Sequence, residues 1–181
     1  MIAEAGLAAL WLAAGLAALQ FLLMILALRS GADMSRAMRS IAVVQGALTL
    51  VAFAMLLVVF ARSDMSVALV FENSHSAKPF IYKVAGTWGN HEGSMLMWVT
   101  ILAIAGAFLA LLAHRTGERT LVAALGAQAL LALGFYAFLL IASNPFARLV
   151  GTSCLLTLTV LPAITSFPGV NDGTGTIGST Y

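Results

Sequence analysis

The stretch SMLMWVTILAIAGAFLALLA, residues 94–113, determines the fold class of this chain. It is free of charged side chains and of proline, and about 20 mostly apolar residues are what an α-helix needs to cross a membrane. Three more stretches of the same character lie at about 5–28, 41–61 and 121–142. The pattern predicts an all-α integral membrane protein with about four transmembrane helices.

The overall composition agrees with a membrane protein. Of the 181 residues, 61% are hydrophobic and only 9% are charged, whereas roughly 25% are charged in an ordinary soluble domain. The mean hydropathy is +1.01, and a net charge of +2 is too small to indicate nucleic-acid binding. The single cysteine, Cys154, excludes an internal disulfide and a CXXCH haem-attachment site in this chain.

The four apolar stretches contain no aspartate, glutamate, lysine, arginine or histidine, and this narrows the possible functions. Proton and ion paths through membranes are usually marked by buried charged residues, so the sequence argues against a pump or an antiporter. The main polar side chains of the stretches are Gln20, Gln45, Thr49, Thr100, Gln128 and Tyr136. We therefore expect any chemistry to lie in the outer joint, residues 62–93, or at the membrane surface.

The basic residues of the joints between these stretches predict the orientation. The joints at 29–40 and 114–120 are short and rich in arginine, whereas the joint at 62–93 is longer and balances basic with acidic residues. Under the positive-inside rule, the N-terminus and residues 62–93 face outward, which in a bacterium means a periplasmic loop on the inner membrane. The head of the chain, residues 1–4, is acidic, which is not typical of a cleavable signal peptide.

The long joint is expected to meet the membrane surface through aromatic residues. Lys78-Pro79 predicts a turn or an extended bend, because the residue before proline avoids the helical conformation. Phe80, Ile81 and Tyr82 suit the headgroup layer, and Tyr82 and Trp88 resemble an interfacial aromatic belt.

The junction KVAGTWGNHEGSMLMW, residues 83–98, carries the candidate site. Asn90 or Ser94 is expected to cap the third long helix, and glycines at 89 and 93 permit a sharp turn or a close approach to a ligand. If the helix begins near Trp88, one face carries the stripe Trp88, His91, Met95 and Trp98. Such a stripe fits a flat, partly apolar, metal-containing ligand.

Each of these residues also has an ordinary structural interpretation. A lone histidine at the interface is more often a hydrogen-bonding partner than a ligand, tryptophans anchor helices, and methionines fill gaps between helices. Glu92 complements the helix dipole. His75 is expected to be solvated, and His114 to lie near water at a helix end. GNHE at 89–92 resembles one phosphoesterase metal motif, but its companion motifs are missing, and Met95 rules out HExxH.

The segment from Glu72 to Val99 resembles the N-terminal outer loop of the CcmF family, with its NrfE-type relatives. The family pattern is approximately N-S-N-x-x-x-P-x-x-Y-K-x-x-x-x-W-G-x-H-E-G-S. It is matched here by Asn73, Ser74, Pro79, Tyr82, Lys83, Trp88, Gly89, His91, Glu92, Gly93 and Ser94. His75 stands where asparagine is common, and SNPF at 143–146 also resembles the family. The similarity covers about residues 1–149.

The resemblance implies a role in cytochrome c maturation, as part of a membrane haem lyase complex. Its implied partners are haem, a haem chaperone, other maturation subunits, apocytochrome c and membrane lipid, with no nucleic acid. The residues expected to form a wall of the haem site are Trp88, Gly89, His91, Glu92, Gly93, Ser94, Met95 and Trp98. No residue is assigned to catalysis or to metal ligation, because the family's haem ligands have no matching positions here.

Residues 150–181 depart from the family pattern. They contain neither tryptophan nor histidine, and their end is rich in glycine, threonine and serine. We expect a non-family tail, either disordered or produced by truncation or a frameshift, and a chain that is not catalytic alone. The alternative function is a multi-pass membrane scaffold or transport subunit without a role in haem handling.

Overall fold

The four apolar stretches form four long helices in the computed structural model, which describes residues 1–31, 33–74, 79–112 and 117–148. Two short helices lie between the second and the third. In chain order the helices are α1 (Ile2–Ser30), α2 (Ser35–Ala61), α3 (Ala68–Asn73), α4 (Phe80–Gly86), α5 (His91–Leu112) and α6 (Glu118–Ile141). α1, α2, α5 and α6 are each long and apolar enough to cross a membrane. The predicted all-α fold with four spans is confirmed, although each of the four helices begins before its predicted start, by about three to six residues.

The four long helices form a ring in which each contacts its two neighbours, and α2 also contacts α6 across the ring. α1 packs on α2, α2 on α5, α5 on α6, and α6 on α1. Small residues allow the close contacts, as is usual between membrane helices. A Cβ built on Gly46 would lie 3.1 Å from the Ala103 carbonyl oxygen, and Gly126 similarly accommodates Met24.

Polar side chains inside the ring bond across or along the helices. The hydroxyl of Tyr136 lies 2.6 Å from the hydroxyl of Thr49. Gln45 Nε2 donates to the Tyr136 hydroxyl over 3.5 Å. Gln20 and Gln128 donate to backbone carbonyls of neighbouring helices. These residues therefore join helices to one another, because a polar group buried in an apolar interior needs a partner.

The joint between α2 and α5 is partly helical, which the sequence analysis did not anticipate. Leu69 and Val70 of α3 are buried in the core, and the Ala68 N–H donates to the Ala147 carbonyl over 2.9 Å. Arg148 pairs with Glu4 at 3.1 Å. The segment after α6 and the helix α3 thus close one end of the ring, which we name the α3–α4 end.

Helix α4 lies at this end without burying any of its residues. Phe80, Ile81 and Tyr82 are 66, 78 and 67% exposed. This exposure suits the expected place in the headgroup layer, which stays a prediction. His75, His114 and the expected tail at 150–181 lie outside the described residues.

Candidate functional site

The turn between α4 and α5 is held by the side chain of Asn90. Its Oδ1 accepts the Gly93 N–H over 2.6 Å, which caps the first turn of α5. Its Nδ2 donates to the Gly86 carbonyl over 2.7 Å, at the end of α4. One amide group therefore ties both helices together. The expectation that Asn90 or Ser94 would cap this helix is met by Asn90, whereas the Ser94 hydroxyl donates to the His91 carbonyl.

Gly93 is required by the backbone of the turn. A Cβ built on it would overlap the Thr87 carbonyl oxygen and lie 2.8 Å from the carbonyl carbon. Thr87 is fully buried, so it has no free space into which to move. A Cβ on Gly89 would lie 3.2 Å from the Ala85 carbonyl oxygen. Both glycines thus serve the sharp turn, which was one of their two expected roles.

The predicted stripe is only partly helical. α5 begins at His91, so Trp88 lies on the turn rather than on the helix. The four-residue stripe required a helix that begins near Trp88, and this condition is not met. His91, Met95 and Trp98 follow one another along one face of α5. His91 is exposed and Trp98 is 58% exposed, while Met95 is half-buried. This face points out of the ring.

A residue from α6 completes this face. The His91 and Phe138 rings meet edge to face, with centroids 5.6 Å apart and planes at 83°. Below them, Met95 and Phe138 line an open groove of about 280 Å³ together with Leu131, Gly134 and Phe135. We name it the α5–α6 groove. Phe138 was missed by the sequence analysis because no local pattern links it to the histidine.

Two more predicted site residues, Glu92 and Ser94, lie in the first turn of α5. Glu92 stands in the first turn of α5, where the helix dipole favours a negative charge, and it is half-buried, as is Ser94. Within the described residues, no group of three or more histidine, cysteine, aspartate or glutamate side chains is placed to hold a metal ion. The site is therefore an apolar, aromatic surface with one imidazole at its edge.

Fold and site together define a multi-pass helical membrane protein with an aromatic groove that opens away from its core. The chain is similar to the cytochrome c-type biogenesis protein CycK of Bradyrhizobium diazoefficiens, with 46% identity over 151 residues, covering 82% of this chain and 23% of that protein. CycK of Rhizobium meliloti is 44% identical over 151 residues, covering 83% of this chain and 22% of that protein. No protein-family model matches the chain.

The fold also matches a solved structure. The cytochrome c haem lyase CcmF superimposes with a TM-score of 0.76 at 19% identity, covering 87% of this chain and 27% of that chain. Other similar proteins are named CcmF and NrfE. The resemblance to the CcmF/NrfE family is confirmed, and the chain is homologous to the N-terminal part of these cytochrome c-type biogenesis proteins. It spans less than a quarter of the length of the CycK relatives.

Proposed function

We propose that this chain acts in cytochrome c biogenesis by forming one wall of a haem-handling site in the bacterial inner membrane. The observation that supports this is the placement of His91 and Trp98 on an exposed face beside the α5–α6 groove. The homologues of this chain are cytochrome c-type biogenesis proteins. In such a protein, an exposed aromatic face with an imidazole is suited to a flat apolar macrocycle. The Asn90 hydrogen bonds hold the edge of this face in place.

The described residues fit a haem on one side only. Trp98 and Phe138 would pack on the macrocycle, since aromatic rings bury large apolar areas. His91 and Glu92 would orient polar groups at the edge, and Met95 would line the floor of the groove. Haem iron is normally held by strong axial ligands, and among the described residues His91 is the histidine beside the groove, so these residues suit a wall better than a complete ligand set.

Haem supplies the vinyl groups that become attached to cysteine thiols of apocytochrome c. We propose that the opposite wall and the iron ligands come from the sequence that the longer relatives carry beyond the matched region. Haem chaperone, apocytochrome c and other maturation subunits would meet the protein at the α3–α4 end. This end faces the periplasm in our proposal, as the arginine-rich joints at the opposite end indicate.

The experiment is alanine substitution at the positions of His91 and Trp98 in a full-length relative that carries the same residues. Trp11 offers a matched control, because it is 58% exposed, as Trp98 is, but lies on α1. We expect Trp98→Ala and His91→Ala to lower holocytochrome c while the amount of protein in the membrane stays unchanged. Trp11→Ala should leave both unchanged.

Two outcomes would contradict the proposal. Normal holocytochrome c in the Trp98 and His91 variants would assign this face to lipid contact. A parallel loss of membrane protein and holocytochrome c would assign the two residues to stability rather than to haem handling.

A further inference from the structure

The end of the ring opposite α3 and α4 carries a cleft that the proposed function does not use. It has a volume of about 180 Å³ and lies where α1 ends and α6 begins. Buried Ala27 and Val122 line it from the two helices, and exposed Glu118 and Arg119 stand at its edge. Asp33 lines both this cleft and a more open one of about 590 Å³ that includes Arg36.

The balance of charge around the two clefts is positive. The linings of the two clefts carry two arginines, Arg36 and Arg119, and two acids, Asp33 and Glu118. Exposed Arg29, in the last turn of α1, adds a third positive charge at this end. Asp33 is already engaged, because its Oδ1 accepts the Ser35 N–H over 2.9 Å at the start of α2. This hydrogen bond, and to a smaller extent the charge of Arg36, lowers the pKa of the Asp33 carboxyl group.

The two arginines that line the clefts have guanidinium donors for a ligand, and Arg36 is also near enough to Asp33 to lower the pKa of that carboxyl group. Within the described residues, no salt bridge or side-chain hydrogen bond engages the guanidinium of Arg36 or of Arg119. Arg39, by contrast, already donates to the Ala110 carbonyl over 2.7 Å. A guanidinium offers a planar set of donors that matches phosphate oxygens.

The surroundings favour a lipid phosphate over a free one. Leu26 and Leu28, in the last turn of α1, are 52 and 53% exposed, and Leu28 lines the smaller cleft. The two arginines therefore lie next to an apolar surface at the level where the helices leave the membrane. Basic pockets between membrane helices at that level are known to bind anionic headgroups.

We propose that these paired clefts bind the phosphate of an anionic phospholipid, with Arg36 and Arg119 as donors and an acyl chain against Leu28. This inference does not depend on the role in cytochrome c biogenesis. The lipid would cover the seam between α1 and α6 at this end.

Native mass spectrometry of the full chain, released from detergent, tests the proposal with dioleoylphosphatidylglycerol and dioleoylphosphatidylcholine as probes. We expect tighter binding of phosphatidylglycerol. Arg119→Gln should weaken it about fivefold, and the double variant Arg36→Gln/Arg119→Gln about 25-fold, since each basic residue near an anionic lipid contributes a factor of that size. Arg119→Lys should retain most of the binding, because it keeps the charge.

Arg62→Gln is the control, because Arg62 is an exposed arginine at the other end of α2. If Arg62→Gln weakens the binding of phosphatidylglycerol as much as Arg119→Gln does, the effect comes from general surface charge and the proposed site is wrong. Equal binding of the two lipids, or displacement of phosphatidylglycerol by millimolar inorganic phosphate, would also overturn it. If thermal unfolding shows that the double variant does not fold, the binding of phosphatidylglycerol to Arg119→Gln alone tests the proposal.

Discussion

Replacing Gly93 by alanine tests whether the turn before α5 depends on a close backbone contact. The added Cβ would overlap the Thr87 carbonyl oxygen, and it would lie 2.9 Å from Asn90 Oδ1. Neither atom can easily move aside. Thr87 is buried, and both polar atoms of the Asn90 side chain are held by hydrogen bonds. The backbone at the start of α5 must therefore move away from the turn.

The size of the effect follows from the bonds that this movement breaks. Loss of the cap between Gly93 N–H and Asn90 costs about 1 kcal/mol, and loss of the Asn90 bond to the Gly86 carbonyl costs about another 1 kcal/mol. Because alanine has a helix propensity up to about 1 kcal/mol better than glycine, we expect Gly93→Ala to lower the free energy of unfolding by about 1–2 kcal/mol in total. Gly134→Ala is the matched control, because nothing lies within 4 Å of a Cβ built at Gly134. There alanine should be neutral or stabilising by up to about 1 kcal/mol.

The measurement is reversible unfolding of the purified chain in mixed micelles with increasing SDS, followed by tryptophan fluorescence. Trp88 and Trp98 flank the turn, so their emission reports on its local structure. If Gly93→Ala unfolds at the same SDS fraction as the wild type and as Gly134→Ala, the backbone contact does not constrain the turn. Asn90 would then contribute little to holding α4 and α5 together.

Three further predictions concern orientation, the polar interior and haem. In a background without Cys154, a cysteine at exposed Ser66 should react with an impermeant thiol reagent in cells with a permeable outer membrane, whereas one at exposed Ser40 should not; the reverse pattern would invert the topology. Tyr136→Phe should lower the free energy of unfolding by about 0.6–1.7 kcal/mol, because the Tyr136 hydroxyl loses its contact with Thr49, and an unchanged SDS midpoint would contradict this. The purified chain should show no stoichiometric Soret band, and expression in a strain that lacks the full-length protein should restore no covalent haem staining of c-type cytochromes. Either signal would show that these four helices hold haem without further ligands.

Several features of the site could be predicted from local sequence. The cap by Asn90 follows from a side chain that reaches three residues along its own chain, and such contacts depend little on the rest of the fold. The exact start of α5 could not be predicted, because the turn from Thr87 to Asn90 is defined by buried Thr87 and by bonds to the preceding helix. Trp88 therefore precedes α5, and the helical stripe that was expected for a helix beginning near Trp88 starts at His91 instead.

The four spans and their approximate limits are evident from the sequence because insertion into lipid depends on the length and polarity of each segment alone. Which side of each helix faces the protein interior is not evident from the sequence, because lipid and protein interior are both apolar. Helices in a membrane also pack through small residues rather than large ones. In α1, Ala13 and Ala17 are fully buried while Trp11 and Leu12 are 58 and 61% exposed, which is the reverse of a soluble protein. Only the packing of α5 against α6 brings Phe138 to His91 and turns the candidate site outward. The sequence could not predict this contact, because the two residues are far apart in the chain and their pattern does not indicate which helices are neighbours.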